Sequence, residues 1–205
     1  MAVSIRDGSL YNINRTALSS PALTNQYQVD LFLENQELAK GVSDLSGISN
    51  DFFNRNIGIS CYEASLPTSS FATAEVKDNF QGIGQQFAHT RFYVDSSFSF
   101  YVDKDYTSLL FFESWMDFIS GLGSPNVTVN EESPAFYRRF RYPDTYKCRN
   151  LYITPFNKNL NGPISYQFFN AFPKSIQSVP VSYGPADILK VTVTFAYDRY
   201  ILKRK

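Results

Sequence analysis

The chain has 205 residues, 43% of them hydrophobic and 19% charged, which excludes a disordered tail and fits an ordinary globular protein. Lys plus Arg number 19 and Asp plus Glu number 19, so the basic excess on which phosphate binding rests is missing and a tight nucleic-acid grip is disfavoured. The near-zero charge gives little self-repulsion and permits copies of the chain to associate.

In chain order, residues 1–24 are polar, contain "SSPAL", and read as an N-terminal arm. "NQYQVDLFLE" (25–34) sets Tyr27, Val29, Leu31 and Leu33 against Gln28, Asp30 and Glu34, the alternation of a half-buried strand. The next segment is rich in Gly, Ser and Asn, and a long loop is expected over 35–55. "NIGISCYEASLP" (56–67) reads as a second strand ended by Pro67. A polar excursion over 67–90 leads into "RFYVDSSFSFYVD" (91–103), two short strands around Asp95 and Ser96.

One segment has helical spacing. In "KDYTSLLFFESWMDFISGLG", Leu109, Phe112, Met116 and Ile119 recur at i, i+3, i+7 and i+10, with Leu110, Phe111 and Trp115 broadening the stripe. Thr107 is the expected N-cap, and Gly121 or Gly123 the end. A loop over 122–145 precedes strands expected in 145–156 and 163–172. The closing segment alternates most regularly. Leu189, Val191, Val193, Phe195 and Tyr197 form its core face; Lys190, Thr192, Thr194, Ala196 and Asp198 form the other. A single strand from Asp187 to Tyr200 would span about 45 Å at ~3.3 Å per residue. The absence of βαβ alternation makes the class mainly antiparallel β, a sandwich or barrel with one packed α-helix. Residues 25–205 then form a single domain, with no internal repeat and no linker that would divide it.

Chemistry is sparse. "GIGQQF" (82–87) lacks the third Gly and the strand–helix context of a dinucleotide fingerprint, so it reads as a surface turn. His89 is the single histidine and has no nucleophile elbow to serve, so it reads as structural or solvent-facing. Glu131–Glu132, and Asp103 with Asp105, sit in loop-like stretches and read as solvated charge. Cys61 and Cys148 form no CxxC pair and read as buried thiols. "YRRFRYP" (137–143) is a basic-aromatic cluster that fits either a partner surface or a charge-protected edge strand. No catalytic, cofactor or metal set emerges, and an enzyme is the least favoured class. The start has no apolar core and no run approaches the length of a membrane span, so folding in a cytoplasm is expected.

Taken together, "NQYQVDLFL", "ISCYEASLP", "FYVDSSFSFYVDKDYTSLLFFESWMDFI" and "FFNAFPKSIQSVPVSYGPADILKVTVTFAYDRYI" resemble the tail tube protein of contractile-tailed phages of the T-even type, especially the longer versions in phages of cyanobacteria. Cys61, Ala64, Leu66 and Pro67 fit one family element with a spacing offset of one residue. Phe172, Pro173, Asp187, Ile188, Val193, Phe195 and Tyr197 fit another. The resemblance covers about residues 25–200. It implies hexameric rings that stack into a hollow conduit for DNA ejection, each subunit adding strands to one continuous inner barrel. Its implied partners are further copies of itself, the sheath, the tape measure protein, baseplate and tail terminator proteins, and DNA in transit. The place implied is a virion tail assembled in the host cytoplasm.

On that picture the closing strand belongs to the shared barrel. Thr192, Thr194 and Ala196 line or approach the lumen, and Lys190 lies near a ring junction beside an acidic partner. Full burial of the five core-face side chains would contribute about 7–15 kcal/mol as an upper bound. Two alternatives remain: a baseplate-side tube initiator or adaptor of the same fold, and a carbohydrate-binding β-sandwich that uses the 17% aromatic content.

Overall fold

The computed structural model describes residues 22–49, 60–77, 82, 84–121, 140–157, 162–177, 179, 181, 183–184 and 187–204. The arm over 1–21, Glu131–Glu132, most of the 122–145 segment and the first three residues of "YRRFRYP" lie outside them.

Two four-stranded antiparallel sheets enclose the core. The first has the order β1 (Tyr27–Phe32), β6 (Asn150–Pro155), β7 (Ile164–Phe169), β10 (Arg199–Arg204). The second has the order β2 (Cys61–Ala64), β5 (Ser96–Tyr101), β9 (Lys190–Ala196), β8 (Phe172–Ile176). The alternation read in the sequence selects the inner faces: Val29, Leu31, Leu151, Ile153 and Phe168 are buried from the first sheet, and Phe98, Phe100, Val191, Val193 and Phe195 from the second. Their rings meet edge to face, as Phe98 and Phe195 do at 5.3 Å and 82°, an arrangement that places a ring's positive edge on its neighbour's negative face.

Helix α2 (Thr107–Ile119) closes the core. Its buried stripe is Ser108, Phe111, Phe112, Trp115 and Phe118, while Leu110 is 45% exposed and Leu109, Met116 and Ile119 are half-buried. The stripe is therefore rotated from the expected one, because the flat ring of Trp115 takes the central position and its Nε1 donates to the Tyr146 carbonyl at 3.1 Å. Tyr106, at φ +56°, and not Thr107, stands at the N-cap, and the side-chain acceptor at this end is Asp103 upstream. Its carboxylate accepts from the Thr107 backbone N–H at 2.7 Å and hydroxyl at 2.6 Å, and that hydroxyl bond, more than the others, lowers the Asp103 pKa.

The expected loop over 35–55 contains a helix, α1 (Gln36–Ser46). Asn35 caps it by accepting from the Glu37 N–H at 2.9 Å, and Gly47, at φ +70°, ends it. Only Leu38 and Val42 are fully buried, so the apolar signal is narrow. Gly41 lets α1 approach α2: a Cβ there would stand 2.1 Å from the Phe118 ring. Arg141 ties the two helices, with its guanidinium 4.1 Å from the centre of the Phe118 ring and Nε donating to the Phe118 carbonyl. Residues 140–142 are not in a strand and lead into a short turn of helix, α3 (Pro143–Tyr146), so the described part of "YRRFRYP" is a helix anchor rather than an edge strand.

The closing strand is shorter than expected. β9 stops at Ala196, and after Tyr197 and Asp198 the chain enters β10 of the other sheet. Asp198 makes this corner, accepting from Asn170 at 2.6 Å and Lys147 at 3.1 Å. Partial desolvation would raise its pKa, but these two bonds and the Lys147 charge outweigh it and lower it.

Candidate assembly surfaces

The outward face of the second sheet carries small hydroxyl groups. Ser99 and Thr192 face each other across β5 and β9, with their hydroxyls 2.9 Å apart, and Ser97 and Thr194 do the same at 3.5 Å. Thr192, Thr194 and Ala196 are half-buried, and the exposed Glu63, paired with Ser99, and Lys190, paired with Tyr101, add one charge of each sign to the same face. Opposite it, Val191, Val193 and Phe195 are fully buried, and Leu189 and Tyr197 are half-buried. β9 itself has no free edge, because β5 and β8 satisfy both of its sides within the chain. Among the described residues the open edges of this sheet are β2 and β8. Lys190 lies at the start of β9. Among the described residues it has no acidic partner, and its Nζ stands over the ring of Tyr62, a β2 residue, at 4.7 Å.

A third element stands apart. β3 (Ser69–Lys77) and β4 (Gly84–Tyr93) form a two-stranded ribbon where a loop over 67–90 is expected, and each strand's extensive packing is with the other alone. The cross-strand pairs sort its side chains. One face carries Phe71, Thr73, Glu75 and Lys77 with Arg91, Tyr93 and Gln86; the other carries Ala72, Ala74, Val76, Phe87 and Phe92 with Ser70 and Thr90. Val76, Phe87 and Phe92 are 54%, 53% and 53% exposed, an apolar face left more than half open among the described residues. The signal was present as alternation in "SSFATAEVK", and Gly82, at φ +70°, marks the turn region. "GIGQQF" is accordingly turn and strand rather than turn alone. His89 is exposed and meets the Thr90 hydroxyl at 2.8 Å.

Cys148 is buried and Cys61 half-buried, and neither forms a disulfide. Burial pushes both thiols up to about 12, so at neutral pH they are protonated and poor nucleophiles. Among the described residues there is no cluster of His, Cys, Asp and Glu that could hold a metal, and no helix is long and apolar enough to cross a membrane.

A family model described as phage tail tube protein matches residues 22–203. In fold, the chain is similar to one in the baseplate of the anti-feeding prophage, at 12% identity and a TM-score of 0.59, covering 90% of this chain and 97% of that one. It is similar to one in the tube-terminating cap of the same system, at 16% identity and a TM-score of 0.58, with both chains covered in full. A third similar chain belongs to the sheath–tube complex of the PVC extracellular contractile injection system in its extended state, at 15% identity and a TM-score of 0.54, again with both covered in full. A comparison with curated proteins finds no match. These identities carry the fold alone, whereas the family model spans nearly the whole chain; the chain belongs to the phage tail tube protein family and is a structural subunit of a tail tube.

Proposed function

We propose that six copies form a ring, that rings stack into a hollow conduit for DNA ejection, and that the outward face of the second sheet lines the channel. The observation that carries this reading is the pairing of a face centred on Ser/Thr hydroxyls with two open edges, β2 and β8, in one four-stranded sheet of a tail tube family member. Edges that complete one another around a closed ring leave no ladder exposed. A wall of small side chains at Thr192, Thr194 and Ala196 offers passing phosphates no fixed cation, and each neutralised phosphate would slow transit. The position of Lys190 over Tyr62 of edge strand β2 supports a place for it beside a subunit junction.

The tube encloses a tape measure protein during assembly in the host cytoplasm, is wrapped by a contractile sheath and meets baseplate and terminator proteins at its ends. It carries out no catalysis, and residues 25–205 act as one domain. The ribbon's apolar face packs on a neighbouring copy. Cryo-electron microscopy of the concentrated protein tests this: six-fold rings stacked into tubes with the Ser/Thr face inward are expected. Protein that stays monomeric at every concentration and salt would overturn it, and rings that never lengthen would reassign the chain to tube initiation.

A further inference from the structure

The ribbon's apolar face has two devices behind it. The first is a register shift. Phe87 and Phe92 stand five positions apart, so strict alternation would put them on opposite faces. Thr73 pairs with Ala88 and Ala72 with Thr90, which leaves His89 without a cross-strand partner. This bulge absorbs one residue and brings Phe87 round to the face of Phe92, Val76, Ala72 and Ala74. The bond between the His89 ring and the neighbouring Thr90 hydroxyl agrees with it, since adjacent strand residues ordinarily point apart.

The second device is at the root. Arg91 lies on the polar face, paired across the ribbon with Phe71. Its guanidinium stands 5.2 Å from the Tyr93 ring centre, 5.3 Å from that of Tyr200 and 5.9 Å from that of Phe71. Nε and one terminal nitrogen donate to the Ser69 hydroxyl at 3.1 and 2.8 Å, and that terminal nitrogen also meets the Tyr200 hydroxyl at 3.1 Å. Ser69, Phe71, Tyr93 and Arg91 all belong to the ribbon; Tyr200 belongs to β10 of the first sheet. The Ser69 hydroxyl also meets the Tyr200 hydroxyl at 3.1 Å and the Tyr93 ring packs edge-on to Tyr200 at 5.4 Å, so Arg91 is the planar, forked centre of a small cluster that joins this face of the ribbon to the body, a task for which a point-like ammonium is poorly shaped.

We propose that Arg91 is a positioning residue that clamps the ribbon by the Phe71–Tyr93 face to Tyr200, and that this clamp, with the His89 bulge, presents Val76, Phe87 and Phe92 together on the opposite face to a second copy of this chain. The inference rests on the tail tube reading for the identity of the partner, and on the described contacts alone for the clamp. A ribbon held at one angle loses little freedom on docking, whereas a swinging one must be ordered first.

The test uses the full chain with two spin labels attached by a non-thiol chemistry, one at Lys77, on the ribbon face opposite Val76, Phe87 and Phe92, and one at Asp144 on the body. Wild type should give one narrow distance distribution in the monomer and form tubes. Arg91→Ala should broaden that distribution and raise the concentration needed for tubes at least ten-fold, with the melting temperature almost unchanged. Arg91→Lys should fall between, and Tyr200→Phe, which removes a single hydroxyl, should broaden it less than Arg91→Ala. Exchanging Gln86 and Phe87 keeps composition but moves the ring to the polar face; the distribution should stay narrow and the tubes should fail. An Arg91→Ala protein with a wild-type distribution overturns the clamp, and tubes from the exchanged protein overturn the face assignment. Failure of wild type to form any rings would strike the tube reading instead, while the monomer distances still decide the clamp.

Discussion

The second sheet and the β3–β4 ribbon follow the same alternation and come to opposite ends. In β9 each apolar residue from Val191 to Phe195 is fully buried; in the ribbon Val76, Phe87 and Phe92 share one face as consistently and are more than half exposed, at 54%, 53% and 53%. A period of two says which residues share a face, and nothing about whether that face finds cover in the same molecule. For β9 the cover is α2 and the first sheet. For the ribbon the described residues supply no such cover.

Substitutions can break this contrast at either end. The largest effect is expected from Val193→Asp, which buries an unpaired carboxylate at a fully buried position and costs more than about 4 kcal/mol; loss of folding, read by circular dichroism and soluble yield, checks it. Phe87→Asp and Phe92→Asp make the same kind of change on the ribbon. There the monomer should keep its stability to within about 0.5 kcal/mol, as exposed sites do, while tube formation is lost by sedimentation. An equal loss of monomer stability at both sites would erase the distinction.

Thr194→Lys tests the Ser/Thr face. The protein should fold and assemble, and particles carrying it should deliver DNA poorly; normal infectivity would place Thr194 on another surface. Gly41→Ala probes the packing of the body, because the added methyl meets the Phe118 ring at 2.1 Å. A loss of about 1–3 kcal/mol of stability, read from denaturant unfolding, is expected from such overpacking.

The smallest effect is a slope with pH. Burial raises Cys61, Cys148 and Tyr27 to about 12 in the folded protein, from ordinary values of 9.0 for the thiols and 10.0 for the phenol. The unfolded chain releases these protons first, so stability is fully present below about pH 9 and declines as pH rises toward 12. A denaturation series across that range, compared with Cys148→Ala, measures the share of one thiol.

Much of the body was legible. The alternation in 27–33 and 189–197 marks two inner faces, and the apolar spacing of 107–119 marks a helix. What escaped has physical causes. Helix α1 buries only Leu38 and Val42 among polar residues, a stripe too thin to stand out from Gly and Ser. The ribbon's small and polar residues resembled a loop because its apolar face is interrupted by a bulge. The side-chain acceptor at the start of α2 is Asp103 because a carboxylate four residues upstream can reach two donors of Thr107, whereas the hydroxyl of Thr107 is itself a donor here.

By itself the sequence determined the class, the family and the facing of the residues in 27–33 and 189–197, because those follow from side-chain period and local chemistry. Tertiary structure alone decided that the closing segment splits between two sheets at Asp198, that β2 and β8 rather than β9 are left open, and that Arg91 meets Tyr200. Each of these joins residues distant in the chain, where the outcome depends on which hydrogen-bond ladders close and which remain unfilled.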